Sequence, residues 1–295
     1  MNSVPAKTII SGYSFDNSWF GNNYNMNIYK GCCHGCIYCD SRSDCYNIEN
    51  FDEVRVKENA LILIERELKS KRKTGVIGTG AMSDPYNPFE RKLKLTRGAL
   101  KLVNRYGFGI SIATKSDFVL RDIDVLKEIS LHSPVLIKFT ITTADDALCR
   151  KIEPNVTVSS DRFKAIKKFS DNGIYTGILM MPVLPFIEDT EENIERIVKL
   201  AHENGAKFIY PALGMTLRGN QRDWYYKKLD ELFPSVKQKY IRYYRNSYEC
   251  HSLKSKELWN LFRNECNRFS ILYKMNDIIK AYKGRYEHRQ LSLFD

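Results

Sequence analysis

Four cysteines lie close together in one short segment, Gly31-Cys32-Cys33-His34-Gly35-Cys36-Ile37-Tyr38-Cys39-Asp40. Three of them, Cys32, Cys36 and Cys39, have the spacing Cys-x3-Cys-x2-Cys. Cysteines this close together pair poorly as disulfides, so in a chain of 295 residues the segment favours a metal. A [4Fe–4S] cluster is usually held by four thiolates, and three thiolates leave one iron open to a small molecule.

A structural zinc site is the alternative interpretation of this segment. Such a site needs four nitrogen or sulfur ligands. Cys33, His34 and Cys45 each offer a fourth ligand, and without a metal role Cys33 and Cys45 are expected to be small buried residues.

The elements that would position the cysteines alternate between strands and helices. The segment Asn25–Lys30 predicts a short strand that leads directly into the cysteine loop. Apolar periodicity predicts further strands over Gly75–Gly80, Phe108–Thr114, Val135–Thr142, Ile174–Met181 and Lys207–Leu213. It predicts intervening helices over Lys57–Ser70, Leu95–Tyr106, Ile123–Ser130, Ser160–Asn172 and Thr190–Asn204.

This order gives six βα units, and therefore an α/β protein with a parallel sheet that is either doubly wound or a barrel. In both architectures the chemistry lies at the carboxyl ends of the strands. Beyond about Gly219 the strand signal fades, and helices are expected over Trp224–Phe233, Val236–Tyr244 and Lys254–Phe269. We therefore expect a barrel domain over residues 1–219, a helical extension over 220–288 and a tail over 289–295.

The positive charge is concentrated near the C-terminus. The chain has a net charge of +11, and residues 221–289 carry 16 Lys and Arg against 8 Asp and Glu. Cations alternate with aromatic residues there, which suits phosphates and stacked bases of nucleic acid, but an amphipathic helical cap with solvated cations has the same pattern. The sequence contains no long apolar run and no basic-then-apolar N-terminal segment, so a cytoplasmic protein without membrane association is expected.

The cysteine segment, with Tyr38 directly before the third cysteine, resembles the signature of the radical S-adenosylmethionine (SAM) superfamily. The resemblance implies a partial (β/α)6 TIM-like barrel whose open iron chelates the amino and carboxylate groups of SAM. It implies reductive cleavage of SAM to methionine and a 5′-deoxyadenosyl radical, with the electron supplied by a donor such as flavodoxin or ferredoxin.

The same resemblance indicates where SAM would be bound. The expected contacts are Tyr38 beside the cluster, Ser83 and Asp84 at the amino group, Lys115 at the carboxylate, Thr140 and Thr142 at the ribose or carboxylate, and Met181 at the adenine. Turn formation, solvation or core packing is the structural alternative for each of them.

Four segments together resemble the group related to spore photoproduct lyase: the cysteine loop, Ser83–Tyr86, Thr114–Ser116 and Arg150–Pro154. This resemblance implies a DNA-repair reaction, with DNA as the partner of the basic C-terminal region. Two positions depart from the lyase. Ala81 stands where the lyase has its hydrogen-donor cysteine, and Asp40 replaces the tyrosine after the third cysteine.

Cys149 is either a substitute hydrogen donor or a small buried residue. A protein, an RNA or a small molecule remains an alternative substrate, and a non-enzymatic zinc-dependent nucleic-acid module is the alternative to an enzyme. The terminal segment Gln290-Leu291-Ser292-Leu293-Phe294 resembles the peptide with which polymerases and repair proteins dock on the DNA sliding clamp.

Overall fold

A computed structural model describes residues 2–12 and 19–287 of the protein. The strands are β1 Ser3–Val4, β2 Ile10–Gly12, β3 Tyr24–Met26, β4 Tyr29–Lys30, β5 Arg55–Lys57, β6 Val76–Thr79, β7 Gly109–Thr114, β8 Val135–Thr140, β9 Tyr175–Met180, β10 Ile209–Pro211, β11 Gly214–Thr216 and β12 Glu249–His251. The helices are α1 Ala60–Ser70, α2 Glu90–Leu93, α3 Leu95–Arg105, α4 Ile123–Ser130, α5 Asp146–Ile152, α6 Ser159–Asp171, α7 Glu191–Glu203, α8 Gly219–Leu232, α9 Val236–Tyr244, α10 Ser255–Arg268 and α11 Met275–Glu287. Short 3-10 turns cover Trp19–Gly21, Asp40–Arg42, Asp44–Tyr46 and Asp117–Asp122.

A seven-stranded sheet organises the molecule, in the order β10-β9-β8-β7-β6-β3-β2. Its six strands from β3 to β10 are parallel, and β2 adds to the β3 edge in the antiparallel sense. Within the described residues β10 and β2 are the two edge strands and the sheet does not close, although Leu272 forms a single bridge with Phe208 beside β10. The α/β class and the partial six-stranded barrel predicted above are therefore confirmed.

The outer face of the sheet packs against the crossover helices. Ile110, Ile112, Ile137 and Phe139 are completely buried there, in one core with the apolar faces of α1, α3, α4, α6 and α7. Strands that are buried on both faces explain why the sequence shows near-continuous apolar runs instead of alternation.

The inner face carries a smaller core near the amino ends of the strands. Val76, Leu136 and Phe208 pack there against Phe20 and against Ile278 of α11. This core closes the end of the barrel away from the cysteine loop. Helix α11 was not predicted from the sequence.

The helices after residue 219 are distributed around the barrel. Helix α10 lies on α7 and buries Leu258 and Phe262 in the main core, while α11 joins the inner core. Helices α8 and α9 pack with the cysteine loop instead. The division into a barrel domain over residues 1–219 and a helical extension over 220–288 stays a prediction.

Two sequence-based assignments near the cysteines are wrong. The predicted strand Asn25–Lys30 is two strands in different sheets, because β3 pairs with β6 whereas β4 pairs with β5. The predicted start of the first helix at Lys57 is instead the end of β5, and α1 begins at Ala60. Strand pairing between distant segments decides both cases, and local periodicity does not report it.

None of the helices in the described ranges combines the length and apolar character needed to cross a bilayer.

Candidate active site

The cysteine loop is held at its start by the segment that follows it. Gly31 has a φ of +80°, and a Cβ there would lie 2.5 Å from the carbonyl oxygen of Glu53, so only glycine fits. The backbone N–H of Cys32 donates to the carbonyl of Phe51 at 2.8 Å. The first cysteine therefore has a fixed backbone position.

The far side of the loop is held by the last residue of α5 and by the segment that follows this helix. The backbone N–H of Ile37 donates to the carbonyl of Ile152 at 3.0 Å. Asn155 donates its side-chain amide to the carbonyl of Cys33 at 3.0 Å and its backbone N–H to the carbonyl of His34 at 3.2 Å. The loop between the first two cysteines is thus clamped to the barrel.

Cys32, Cys36 and Cys39 line one cavity of about 480 Å³. All three are free thiols, and Cys36 is buried. Desolvation raises the pKa of Cys32 to about 12 and raises the pKa values of Cys36 and Cys39 as well. Thiolates in such a setting need a compensating positive charge, and the iron ions of a cluster supply it. The donor set therefore fits the predicted cluster.

A single-ion site has less support from the geometry. Within residues 2–12 and 19–287 no group of three His, Cys, Asp or Glu side chains is arranged to hold one metal ion. Of the three predicted fourth ligands, Cys45 is exposed and the Nδ1 of His34 lies 3.7 Å from the carboxylate of Asp84. Three thiols spread around a common cavity match a cluster better than one zinc ion.

Ser83 and Asp84 line this cavity, but their side chains also brace its walls. The hydroxyl of Ser83 donates to the carbonyl of Gly31 at 2.6 Å. The carboxylate of Asp84 accepts from the backbone N–H groups of Tyr86 and Lys115 and from the hydroxyl of Thr114, each at 2.8 Å. Their direct contact with SAM stays a prediction. The structure adds a bracing role that sequence reasoning missed.

Tyr38 and Lys115 belong to a buried network of charges. The phenol of Tyr38 donates to the carboxylate of Glu153, and the ammonium of Lys115 lies 5.6 Å from the centre of the Tyr38 ring. Glu153 pairs with Arg162 at 2.6 Å, and both side chains are at most 1% exposed. Arg162 also donates to the carbonyl of Thr140 at 2.7 Å.

This network favours the charged forms of its members. Desolvation opposes ionisation of Glu153, but Arg162 and Lys115 outweigh it and lower its pKa. Desolvation likewise opposes the charge of Lys115, but negative charge at Cys36 and Glu153 raises its pKa. Lys115 therefore presents a cation to the cavity, as a SAM carboxylate requires. Glu153 and Arg162 were not predicted as site residues, although Glu153 stands in one of the segments that carry the resemblance.

The two threonines predicted as SAM contacts, at the end of β8 and just beyond it, have different surroundings. Thr140 ends β8 and lines the cavity, whereas the strand stops before Thr142, whose hydroxyl donates to Glu188 at 2.6 Å. Desolvation raises the pKa of Glu188 to about 8. The structure therefore places Thr140 at the predicted site and gives Thr142 a different partner, away from the lining of the cavity.

A larger cavity of about 1240 Å³ continues from the first one. Tyr38, Cys39, Ala81 and Lys115 line both. We call the part around the three cysteines the inner section and the continuation the outer section. The wall of the outer section comes from Met181 and Pro182 after β9, from the antiparallel pair of strands β11 and β12, and from Arg218 and Tyr248 beside that pair. The predicted adenine wall, Met181, thus lies in the outer section.

Asp40 and Arg218 form a polar cluster in the outer section. The two side chains pair at 2.7 Å, and each is 33% exposed. Asp40 also accepts from the hydroxyl of Tyr46 at 2.7 Å, and the guanidinium of Arg218 lies 5.2 Å from the centre of the Tyr248 ring. The residue that follows the third cysteine is thereby connected to the C-terminal region.

Comparison with known proteins decides the family. The family model of the radical SAM superfamily matches residues 26–201, more than half of the chain. The chain belongs to the radical SAM superfamily. It is therefore a radical SAM enzyme, whose cofactors are a [4Fe–4S] cluster and SAM.

Sequence relatives of this radical SAM enzyme are themselves uncharacterized. One from Methanocaldococcus jannaschii is 37% identical over 174 residues, which is 58% of this chain and 64% of that protein. One from Mycobacterium tuberculosis is 28% identical over 231 residues, covering 75% of this chain and 67% of the relative.

Among solved structures, a spore photoproduct lyase with bound AdoMet and dinucleoside spore photoproduct has a TM-score of 0.62 at 15% identity, covering 84% of this chain and 74% of the other. A second spore photoproduct lyase variant gives 0.63 at 15% identity, over 87% and 76%. At this identity the likeness concerns the fold.

The structure shows where Ala81 and Cys149 lie, the two positions that the sequence connects with a hydrogen donor. Ala81 lines both sections of the cavity, so the absent cysteine would have faced it. Cys149 is buried, with its sulfur 3.6 Å from Arg162, and lines neither section. The geometry supports the structural interpretation of Cys149.

The aromatic residues of the C-terminal region divide into two groups. Tyr225, Tyr240 and Tyr244 are buried and pack beside the cysteine loop, as the helical-cap interpretation expects. Tyr243 and Tyr248 are about half exposed, and cations lie over both rings. The segment Gln290–Phe294 lies outside the described residues, so the clamp interpretation is not tested.

Proposed function

We propose that this radical SAM enzyme reductively cleaves SAM and uses the resulting radical on DNA, in a reaction of the lesion-repair type. The observation that carries the proposal is the continuous cavity, which runs from the three cysteines to Arg218. Its outer section is lined by apolar residues, among them Met181, Pro182 and Met215, and by the cation of Arg218. A nucleotide has the complementary arrangement, an apolar base joined to an anionic phosphate.

The residues of the inner section prepare the reaction. Cys32, Cys36 and Cys39 would hold the cluster, which would supply the electron for cleavage of a carbon–sulfur bond of the SAM sulfonium. Lys115 offers a cation for the SAM carboxylate, and Tyr38 is held in place through Glu153. Ala81, Met181 and Met215 contribute apolar side chains to the wall of the outer section, next to the inner section.

Arg218 is suited to hold an anionic substrate. Asp40 and the two neighbouring tyrosines orient its guanidinium, while one third of the side chain stays accessible. Within the described residues its Nη1 makes no hydrogen bond, because Asp40 occupies only Nε and Nη2. A phosphate oxygen is the typical acceptor for such a donor.

Anaerobic reconstitution tests the first half of the proposal. The protein should bind about four irons, as a [4Fe–4S] cluster requires, and reduction with SAM should release 5′-deoxyadenosine. Cys36→Ala should lose the iron, whereas the neighbouring Cys33→Ala should keep it. A colourless protein that binds one zinc ion would exclude radical chemistry.

DNA with defined lesions tests the second half. Incubation of the reduced enzyme with lesion-bearing oligonucleotides should convert one lesion, with deuterium exchanged between that DNA and 5′-deoxyadenosine. SAM cleavage that no lesion-bearing DNA stimulates, together with turnover of a peptide, an RNA or a small molecule, would refute DNA as the substrate.

The sliding clamp is a further proposed partner, supported by the terminal Gln-Leu-Ser-Leu-Phe sequence alone. The full chain should retain the clamp in a pull-down, and Leu293→Ala combined with Phe294→Ala should abolish that retention. Unchanged retention by the double variant would exclude docking through this segment.

A further inference from the structure

The other side of the cysteine loop faces a second depression, which we call the basic pocket. It has a volume of about 690 Å³ and is lined by residues that include His34, Arg91, Phe118, Pro154 and Asn155. None of its lining residues except His34 also lines the inner section. The loop therefore has two faces with different surroundings.

His34 is the residue that separates the two spaces. It is 4% exposed, lines both the inner section and the basic pocket, and stands between Cys32 and Cys36 in the chain. Asn155 holds its backbone and that of Cys33. The basic pocket thus reaches the immediate neighbourhood of the cluster ligands without passing through the outer section, where substrate is proposed to bind.

Arg91 lines the basic pocket, and further cations without an ion pair lie in the segments next to its lining residues. Arg91, Lys92 and Lys94 lie exposed in and beside α2, and Arg150 and Lys151 lie exposed near the end of α5. None of these five forms an ion pair with any residue in the described ranges. Arg97 and Arg121, by contrast, are paired with carboxylates.

Arg97 pairs with Asp122 and Asp124, and Arg121 pairs with Glu90 and Asp122. Acidic partners are therefore present in this part of the protein but are directed to other arginines. Asp117 accepts from the lining residue Thr157, but the segments beside the basic pocket still carry an excess of positive charge, which attracts an acidic surface over a distance of about one Debye length.

Apolar groups lie among these cations. Phe89 is 41% exposed and Leu93 is 37% exposed, and both flank Arg91 in the chain. The guanidinium of Arg91 lies 4.2 Å from the centre of the Phe118 ring. Apolar anchors inside a polar rim are the usual anatomy of a protein–protein interface, and phosphate backbones make no use of exposed apolar side chains.

We propose that the basic pocket is the docking surface of the electron donor, a small acidic protein that carries one electron at a time on a flavin or an iron–sulfur group. One electron leaves the carrier, which is oxidised, and enters the cluster, which is reduced; no atom is transferred. The inference rests on the reductive chemistry proposed above and is independent of the substrate. Approach from this face allows reduction while the outer section is filled.

The experiment measures reduction of the reconstituted full-length protein by stopped-flow bleaching of its visible absorbance. Reduced flavodoxin is the acidic probe, and dithionite is the small reductant that needs no docking surface. The test variant is Arg91→Glu with Lys94→Glu. The matched control, Lys256→Glu with Arg263→Glu, changes the net charge equally on exposed, unpaired positions of α10, which packs on α7.

At low ionic strength the test variant should be reduced by flavodoxin about tenfold or more slowly than the control variant, since steering of this kind changes association rates by about 10 to 10³. The difference should shrink as salt is added, and dithionite should reduce both variants equally fast. Equal flavodoxin rates for the two variants would overturn the proposal, as would an equal slowing with dithionite.

Weakened DNA binding by the test variant, with an unchanged flavodoxin rate, would assign the surface to DNA and refute donor docking. The measurement is separate from the test of the proposed function. A protein whose cluster is bleached normally but which releases no 5′-deoxyadenosine contradicts the reductive cleavage of SAM and leaves the docking result readable.

Discussion

An ion pair lies beside each section of the cavity, and the two pairs differ in how far they are exposed to solvent. Glu153 and Arg162 are at most 1% exposed, whereas Asp40 and Arg218 are each 33% exposed. The inner pair joins Tyr38 to the end of β8 within the segment that the family model matches. The outer pair joins the cysteine loop to Arg218, beyond residue 201, where that match ends.

This difference separates two tasks. A buried, fully bonded pair fixes the groups that any radical SAM reaction needs at the same place. A half-exposed pair leaves a cation accessible for a particular substrate. The chemistry common to the superfamily is thus associated with the inner section, and the choice of substrate is proposed to depend on the outer one.

The largest effect is expected from breaking the inner pair. Glu153→Ala leaves the guanidinium of Arg162 buried without its carboxylate, which should lower the free energy of unfolding by about 3–5 kcal/mol. Urea unfolding followed by circular dichroism measures this loss. A loss below about 1 kcal/mol, the range of exposed pairs, would mean that the two sections do not differ in the way described.

A smaller effect, on binding, is expected in the outer section. Arg218→Gln should weaken DNA binding about 10- to 100-fold, because a hydrogen bond to a charged group contributes about 1.5–3 kcal/mol. Loss of one phosphate contact should also reduce the slope of log affinity against log salt by about one. Arg66→Gln, on an exposed arginine of α1 that lies outside both the outer section and the basic C-terminal region, is the control and should bind as the parent does.

The pH dependence of stability tests the buried carboxyl group of Glu188, which accepts from Thr142 behind the cavity wall. The pKa of Glu188 is raised to about 8 in the folded protein, so its protonated form is favoured. Its stabilising contribution is complete below the unfolded pKa and is lost as the pH rises towards 8. Relative to Glu188→Gln, the parent should lose up to about 1.4 kcal/mol per pH unit between pH 5 and 8. Parallel stability curves for the two proteins would contradict the raised pKa.

The smallest effect is expected from the outer pair itself. Asp40→Ala removes a half-exposed partner of Arg218 and should change the free energy of unfolding by no more than about 1 kcal/mol. The same urea measurement applies. A loss as large as that of Glu153→Ala would show that the outer pair supports the fold and not only the position of Arg218.

Several of these features were accessible from local sequence. The three cysteines with Tyr38 indicate their own chemistry, because the spacing within one loop is enough to surround a cluster. The parallel strands were predicted because strands buried on both faces form long apolar runs, as in Val135–Thr140. Helix α4 was predicted with its observed limits, since its apolar spacing is local.

Other features escaped prediction because they depend on residues far apart in the chain. Glu153 is 115 positions from Tyr38, and no periodicity relates a buried carboxylate to a phenol at that distance. The pairing of β11 with β12 brings Thr216 opposite Glu249 and forms the wall of the outer section, although each strand alone is three residues long. Tyr225, Tyr240 and Tyr244 of the aromatic C-terminal pattern proved to be core for the same reason.

The sequence by itself determined that a radical SAM cluster loop lies between the first two parallel strands of a six-unit α/β chain, because ligand spacing and apolar runs are properties of neighbouring residues. Only the tertiary structure decided that Asp84 braces the cavity, that Glu153 and Arg162 support Tyr38 and that Arg218 reaches Asp40. Those contacts exist because distant segments pack together, and packing selects partners that local patterns do not encode.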